Sequence, residues 1–64
     1  MENVIKKIRQ LRNEKGYSQT YIAGKIGISQ RAYSKIEQRE TKITLKRLKS
    51  IAAILEVEMA DLLS

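Results

Sequence analysis

The feature that most constrains the fold is a pair of short helical patterns between Ser18 and Arg39, joined by a turn at Gly27. Each pattern opens with serine followed by glutamine, the order expected of an N-cap residue and the first residue of a helix. Gly27 can adopt the positive φ that ends one helix and starts a turn. The sequence therefore predicts helices at about residues 19–26 and 30–38 that cross at a large angle.

The second helix of this pair has two chemically different faces. At about 100° per residue, Ala32, Tyr33 and Ile36 share one arc of the helix. The opposite arc carries long polar side chains, namely Gln30, Arg31, Ser34, Lys35 and Gln38. The apolar arc predicts packing on a core, and the polar arc presents hydrogen-bond donors to a partner. A merely solvated helix face is the alternative interpretation of the polar arc.

The rest of the chain also follows helical patterns. A first helix is predicted from about Glu2 to Lys15, and Thr44 is a suitable N-cap for a fourth helix. The fourth helix carries apolar residues at helical spacing, which are Leu45, Leu48, Ile51, Ala52 and Leu55, and Met59, Leu62 and Leu63 indicate a short final helix. No stretch alternates like a strand. We expect one all-α domain over residues 1–64.

Composition excludes several classes of function. The chain has no cysteine and no histidine, which removes disulfides, histidine-based catalysis and the usual metal-ligand clusters. No phosphate-binding loop or catalytic constellation is visible, so we expect neither an enzyme nor a cofactor. No apolar run approaches the roughly 18 residues of a membrane-spanning helix, and no signal-peptide pattern opens the chain. We expect a cytoplasmic protein.

Charge is distributed unevenly along the chain. The formal net charge is +6, and all 13 lysines and arginines lie between Lys6 and Lys49. The last nine residues contain Glu56, Glu58 and Asp61 and no base. This segregation favours a polyanionic partner at one end of the molecule. The alternative, a soluble domain that is simply basic, explains the total charge but not its distribution.

Several motifs in register resemble the Cro/CI-type, or XRE-type, helix-turn-helix family. They are the run Ile-Arg-Gln-Leu-Arg-Asn-Glu-Lys-Gly at 8–16, Ser18-Gln19, Ile22-Ala23, Ile26-Gly27-Ile28, Ser34-Lys35-Ile36-Glu37, Thr44-Leu45, Ile51-Ala52 and Leu55-Glu56-Val57. The resemblance covers nearly the whole chain. It implies a compact five-helix lambda-repressor-like domain, with the helix-turn-helix at about residues 19–38.

The resemblance also implies roles for individual residues. Base contacts in the major groove are expected from Gln30, Arg31, Ser34 and Lys35. Phosphate contacts are expected from Ser18, Gln19, Tyr21, Arg39, Lys42 and Lys46, with simple exposure as the alternative for several of them. Arg12 and Glu37 are expected to form a structural ion pair between the first and third helices.

The chain departs from the family pattern just after the third helix. Family members usually carry glycine there, and this chain has Arg39. The helix must therefore end at Gln38 or Arg39 in a less favourable conformation, or continue for a further turn.

The function that the resemblance implies is a sequence-specific, double-stranded-DNA-binding regulator. It would be a repressor or controller that binds a palindromic operator as a homodimer. Dimer contacts are expected at the acidic end from Met59, Leu62 and Leu63, with capping of the core as the alternative role. The competing function is an antitoxin or another interaction component with a protein partner such as a toxin. Binding to a membrane surface through the basic first helix is a third, more distant alternative, and no membrane partner is expected.

Overall fold

The computed structural model describes residues 2–63, and every regular element within that range is a helix. In chain order the helices are α1 (Glu2–Glu14), α2 (Gln19–Ile26), α3 (Gln30–Glu37), α4 (Leu45–Leu55) and α5 (Met59–Leu63). The predicted all-α, five-helix class is confirmed. Helices α1 and α3 each end one residue earlier than predicted.

Hydroxyl side chains fix where three of the helices begin. Ser18, Ser29 and Thr44 have extended backbones, and each side-chain oxygen accepts the N–H of the third residue of the following helix. These contacts satisfy N–H groups that have no partner inside the helix. Helix α5 begins differently, because the carboxylate of Asp61 accepts the backbone N–H of Glu58 at 3.3 Å.

Helix α3 ends on a non-glycine residue in the left-handed conformation. Arg39 has a φ of 62°, and its N–H donates to the carbonyl of Ile36 at 3.1 Å. The next N–H, from Glu40, reaches back to the carbonyl of Lys35 at 2.9 Å. This is the hydrogen-bond pattern that usually recruits glycine. The structure therefore realises the less favourable conformation at Arg39 and not a longer helix.

The core lies between α1, α4 and the α2–α3 pair, with α5 closing one end. Helix α1 contacts α3, α4 and α5, and α2 contacts α3 and α4. The buried apolar residues are Val4, Ile5, Ile8, Ile22, Ala23, Tyr33, Ile36, Leu48, Ile51, Ala52, Leu55 and Leu62.

Two residues expected to face the core do not. Leu45 is 67% exposed, because it is the first residue of α4 and precedes the part of that helix that packs. Ala32 is also exposed, and it lines a surface cleft on α3. Within residues 2–63, none of the helices has the length and apolar character needed to cross a membrane.

Candidate nucleic-acid interface

The inner face of α3 is held by one buried carboxylate that bonds to three helices. Glu37 is 3% exposed, and it accepts Arg12 Nε at 2.7 Å and Arg12 Nη2 at 3.1 Å. The Tyr33 hydroxyl donates to the same carboxylate, and the Gln19 amide donates to it at 3.0 Å. A carboxylate offers about four lone-pair sites, so these hydrogen bonds occupy it fully. Glu37 therefore ties α1, α2 and α3 together.

This network, Glu37 with its donors Arg12, Tyr33 and Gln19, has a defined protonation state at neutral pH. Burial raises the pKa of Glu37, but the hydrogen bonds from Arg12, Tyr33 and Gln19 lower it by more, so the net pKa lies below the usual value. The hydrogen bond to Glu37 raises the pKa of Arg12, and burial followed by contact with Glu37 raises the pKa of Tyr33. The network thus contains an ionised carboxylate, a guanidinium cation and a neutral phenol.

The Arg12–Glu37 pair was expected from the family resemblance, but two of its companions were not. Tyr33 and Glu37 are separated by one helical turn, a spacing that could have suggested their hydrogen bond. The hydroxyl also accounts for a tyrosine at a fully buried position. Gln19 was expected to contact phosphate, and its amide nitrogen instead donates to Glu37.

The outer face of α3 is open to solvent. Gln30, Arg31 and Lys35 are exposed, Ser34 is half-buried, and Gln38 donates to Ser34 Oγ at 3.2 Å. These side chains line a shallow groove of about 450 Å³, hereafter the reading groove, whose lining residues are Gln30, Arg31, Ser34, Lys35, Gln38 and Glu40. The structure therefore brings the four predicted base-contact residues together on one surface. It adds Gln38 and Glu40, which were not predicted as site residues.

A second cleft, of about 470 Å³, separates α3 from the loop before α4. Arg31 and Lys35 line this cleft as well as the reading groove, and Lys42 and Arg47 line its other side. Arg47 was not predicted as a site residue. Its Nη1 donates to the carbonyl of Ile26 at 3.4 Å, which holds the guanidinium beside the turn of the helix pair. The cleft is basic on both walls and open to a polyanion.

The remaining phosphate-contact candidates occupy different environments. The Ser18 hydroxyl accepts the N–H of Tyr21 at 3.0 Å and so serves as the cap of α2. Arg39 and Lys42 lie in the loop after α3, and Lys46 is exposed in the first turn of α4. The loop thus carries the candidate cations from the end of α3 to the start of α4.

Tyr21 is part of an aromatic arrangement on the outer side of α2. Its ring lies 4.6 Å from the ring of Tyr17, centroid to centroid, and Lys25 Nζ lies 5.5 Å from the Tyr21 ring centre. Tyr17 is half-buried, and its carbonyl accepts Arg12 Nη1 at 2.8 Å. Tyr21 therefore has an exposed ring with a defined position.

The three dimer candidates are not equivalent in the structure. Leu62 is fully buried in the core, so the expectation that it contacts a second copy is wrong. Met59 is half-buried against the core, and Leu63 is 51% exposed. Helix α5 has one turn and a little more, and it points Leu62 inward and Leu63 outward. Of the three candidates, Leu63 presents the largest exposed fraction to a partner.

A helix pair joined by a tight turn, with the second helix locked inward and polar outward, defines a helix-turn-helix protein. Its candidate interface consists of cations and hydrogen-bonding side chains, and across residues 2–63 no group of three or more acidic, histidine or cysteine residues is arranged to hold a metal ion. The model of the helix-turn-helix family matches residues 8–62. The chain therefore belongs to that family, which confirms the XRE-type resemblance.

The chain is also similar in sequence to a transcription regulator of known family. It is 36% identical over 59 residues to the HTH-type transcriptional regulator SinR of Bacillus licheniformis, a match that takes in 91% of this chain and 53% of that protein. The chain thus spans about half the length of this curated relative.

Two solved structures have the same fold. The N-terminal DNA-binding domain of SinR from Bacillus subtilis superposes with a TM-score of 0.87 at 31% identity, covering 100% of this chain and 94% of that one. The crystal structure of SinR, the master regulator for biofilm formation, in complex with DNA gives a TM-score of 0.83 at 34% identity, covering 95% and 98%.

Proposed function

We propose that the chain is a sequence-specific transcription regulator that places α3 in the major groove of double-stranded DNA. The observation that carries the proposal is the division of α3 into a locked inner face and an open outer face lined by donors. An α-helix fits the width of the major groove. The similarity to a SinR structure solved in complex with DNA supports the same partner.

Base contacts are assigned to the outer face of α3. In helix-turn-helix proteins the N-terminal residues of the second helix approach base edges, which here are Gln30 and Arg31. Arginine pairs with guanine O6 and N7, and glutamine pairs with adenine N6 and N7. Ser34 and Lys35 lie one turn further along the same groove. This face therefore combines charged and neutral donors suited to several bases.

Phosphate contacts are assigned to the surfaces on either side of the reading groove. Helix N-termini bind phosphate through N–H groups that lack a helical partner, and α2 and α4 both begin at hydroxyl caps. The cations Arg39, Lys42 and Lys46 lie along the loop between α3 and α4. The basic cleft adds Arg47 to this set. Cations on both sides would fix the register of α3 in the groove.

The function as a regulator requires two copies of α3. One short helix reads few base pairs, which is too little for useful specificity in a genome. A homodimer on a palindromic operator, with its two α3 helices about 34 Å apart, corrects this shortage. We assign the contact to the acidic end, with Leu63 and Met59 at its centre. Such a dimer would act as a repressor or controller by occupying its operator.

Salt dependence of duplex binding tests the DNA assignment. If about five to eight phosphates are neutralised per dimer, log affinity should fall against log salt with a slope of about −4 to −7. The measurement is fluorescence anisotropy on duplexes selected from a random pool, with a scrambled duplex of equal length as the control. A flat salt response, or equal affinity for selected and scrambled duplexes, would contradict the proposal.

The oligomeric state tests the dimer assignment separately. Leu63→Lys should shift the protein toward monomer in sedimentation and weaken binding to a palindromic duplex while the thermal midpoint stays within a few degrees. Leu45→Lys is the matched control, because Leu45 is also an exposed leucine but lies at the start of α4. A strict monomer on and off a palindromic duplex would overturn the dimer.

A further inference from the structure

Glu40 stands out in the reading groove by its charge. Of the described residues that line this groove, it is the one acid among amides, a hydroxyl and two cations. A surface that approaches DNA repels a carboxylate from phosphates, so an acid at this place is unfavourable unless it has a partner in the complex. The partner must be a hydrogen-bond donor that DNA itself supplies.

The backbone explains how Glu40 reaches this position. The left-handed conformation of Arg39 reverses the chain immediately after α3. The N–H of Glu40 then donates to the carbonyl of Lys35 at 2.9 Å, which returns residue 40 to the last turn of the helix. The residue that follows the helix in sequence thus lies beside the residues of its outer face. Its place in the groove is a consequence of a hydrogen-bonded turn.

An ionised carboxylate accepts hydrogen bonds and donates none. In the major groove, the base donors available to it are the amino groups of cytosine N4 and adenine N6, and acidic side chains characteristically accept from cytosine N4. Guanine and thymine present acceptors at the corresponding positions, which a carboxylate repels. The groove therefore offers donors from Arg31 and Lys35 and one anionic acceptor from Glu40.

We propose that Glu40 is a specificity-determining residue that selects cytosine at one position at the edge of the site read by α3. This inference rests on the proposed DNA-binding function. The carboxylate discriminates in two ways, because it accepts from the amino group of the correct base and because it raises the cost of binding any duplex that lacks one. Wild-type protein should prefer cytosine at that position on the order of tenfold over guanine or thymine.

The experiment compares intact chains on duplexes chosen by the wild-type protein. Wild type, Glu40→Ala and Glu40→Gln each undergo selection from a random pool, followed by affinity measurements on the selected duplex and on its single-base variants at one salt concentration. Glu14→Ala is the charge-matched control, since Glu14 is an exposed acid on α1 whose carboxylate accepts the Gln10 amide. Thermal melts confirm that all four proteins are folded.

The proposal expects a change at one base position. Glu40→Ala should lose the cytosine preference there, keep the other preferences, and bind the formerly disfavoured duplexes more tightly than wild type. Glu40→Gln should move the preference toward adenine, because glutamine can pair with adenine N6 and N7. Glu14→Ala should retain the wild-type preference.

Two outcomes would overturn it. One is that Glu40→Ala binds every duplex more tightly by the same factor, which would make Glu40 a source of phosphate repulsion alone. The other is an unchanged preference in both Glu40 variants. Failure of the proposed function looks different, because the wild-type protein would then select no sequence at all.

Discussion

The two faces of α3 are built from the same short segment and obey different physical rules. On the inner face, Tyr33 and Glu37 are buried and their polar atoms are fully hydrogen-bonded. On the outer face, Gln30, Arg31 and Lys35 are exposed along an open groove. Neighbouring residues in sequence thus belong to separate energetic systems. We expect inner substitutions to change the free energy of unfolding and outer substitutions to change affinity for DNA.

The two faces also treat charge differently. The inner carboxylate is neutralised by Arg12 at 2.7 Å and shielded from solvent. The outer cations Arg31 and Lys35 face solvent, where dissolved ions screen them within about 10 Å at ordinary salt concentrations. Salt should therefore weaken the function of the outer face much more than the stability conferred by the inner face.

The largest expected effect comes from breaking the inner network. Arg12→Ala removes two hydrogen bonds from Glu37 and leaves an uncompensated charge at a buried position. We expect a loss of about 3–5 kcal/mol in the free energy of unfolding, measured from urea melts. Arg9→Ala is the control, because Arg9 Nε lies 3.9 Å from the same carboxylate and its side chain is 55% exposed, against 13% for Arg12. Similar urea midpoints for the two variants would contradict the comparison.

The next effect in size belongs to the outer face. Arg31→Ala should cost about 1–3 kcal/mol of binding free energy on the selected duplex and relax the preference at one base pair, with an unchanged urea midpoint. Lys42→Ala is the matched variant, because Lys42 lines the neighbouring cleft and is assigned to phosphate. It should weaken binding to all duplexes by a similar factor. Uniform weakening by Arg31→Ala would move Arg31 to the phosphate set.

The sequence predicted the helices well because their ends have local signals. Ser18, Ser29 and Thr44 mark helix starts through a hydrogen bond to a residue three positions away, and Gly27 marks an end. The split faces of α3 follow from periodicity alone, which explains why the four candidate base contacts share one groove.

The sequence failed where position depends on tertiary structure. Leu62 and Leu63 are adjacent in a helix too short for its periodicity to show which one is buried. Gln19 joins Glu37 because two helices meet there, across 18 residues of sequence. Glu40 enters the reading groove through a left-handed turn at Arg39, and no glycine signalled that turn.

Acid should remove the contribution of the inner network while wild type and variant remain comparable. The net pKa of Glu37 in the folded protein lies below its unfolded value of about 4.5, so its stabilisation is complete above that pH and is lost as pH falls through the folded pKa. The free energy of unfolding of Glu37→Gln should therefore approach that of wild type below about pH 4.5. Urea melts at several pH values give this difference and cancel the titration of shared groups. A difference independent of pH would show that the charge of Glu37 contributes nothing.

The smallest effect sharpens the comparison at the boundary between the two faces. Arg39 and Glu56 both end helices in the left-handed conformation, with φ of 62° and 59°. Glycine adopts this conformation without the steric cost but loses more freedom on folding, so Arg39→Gly and Glu56→Gly should each stabilise the fold by about 0.5–1 kcal/mol, measured from urea melts.

DNA binding should then separate these two equally stabilised variants. Arg39 is assigned to phosphate beside the reading groove, whereas Glu56 lies at the far end of α4. Arg39→Gly should bind duplexes more weakly, and its slope of log affinity against log salt should become shallower by about one for each phosphate that it no longer neutralises. Glu56→Gly should keep the wild-type slope. Equal slopes in both variants would show that Arg39 serves the turn and makes no contact with DNA.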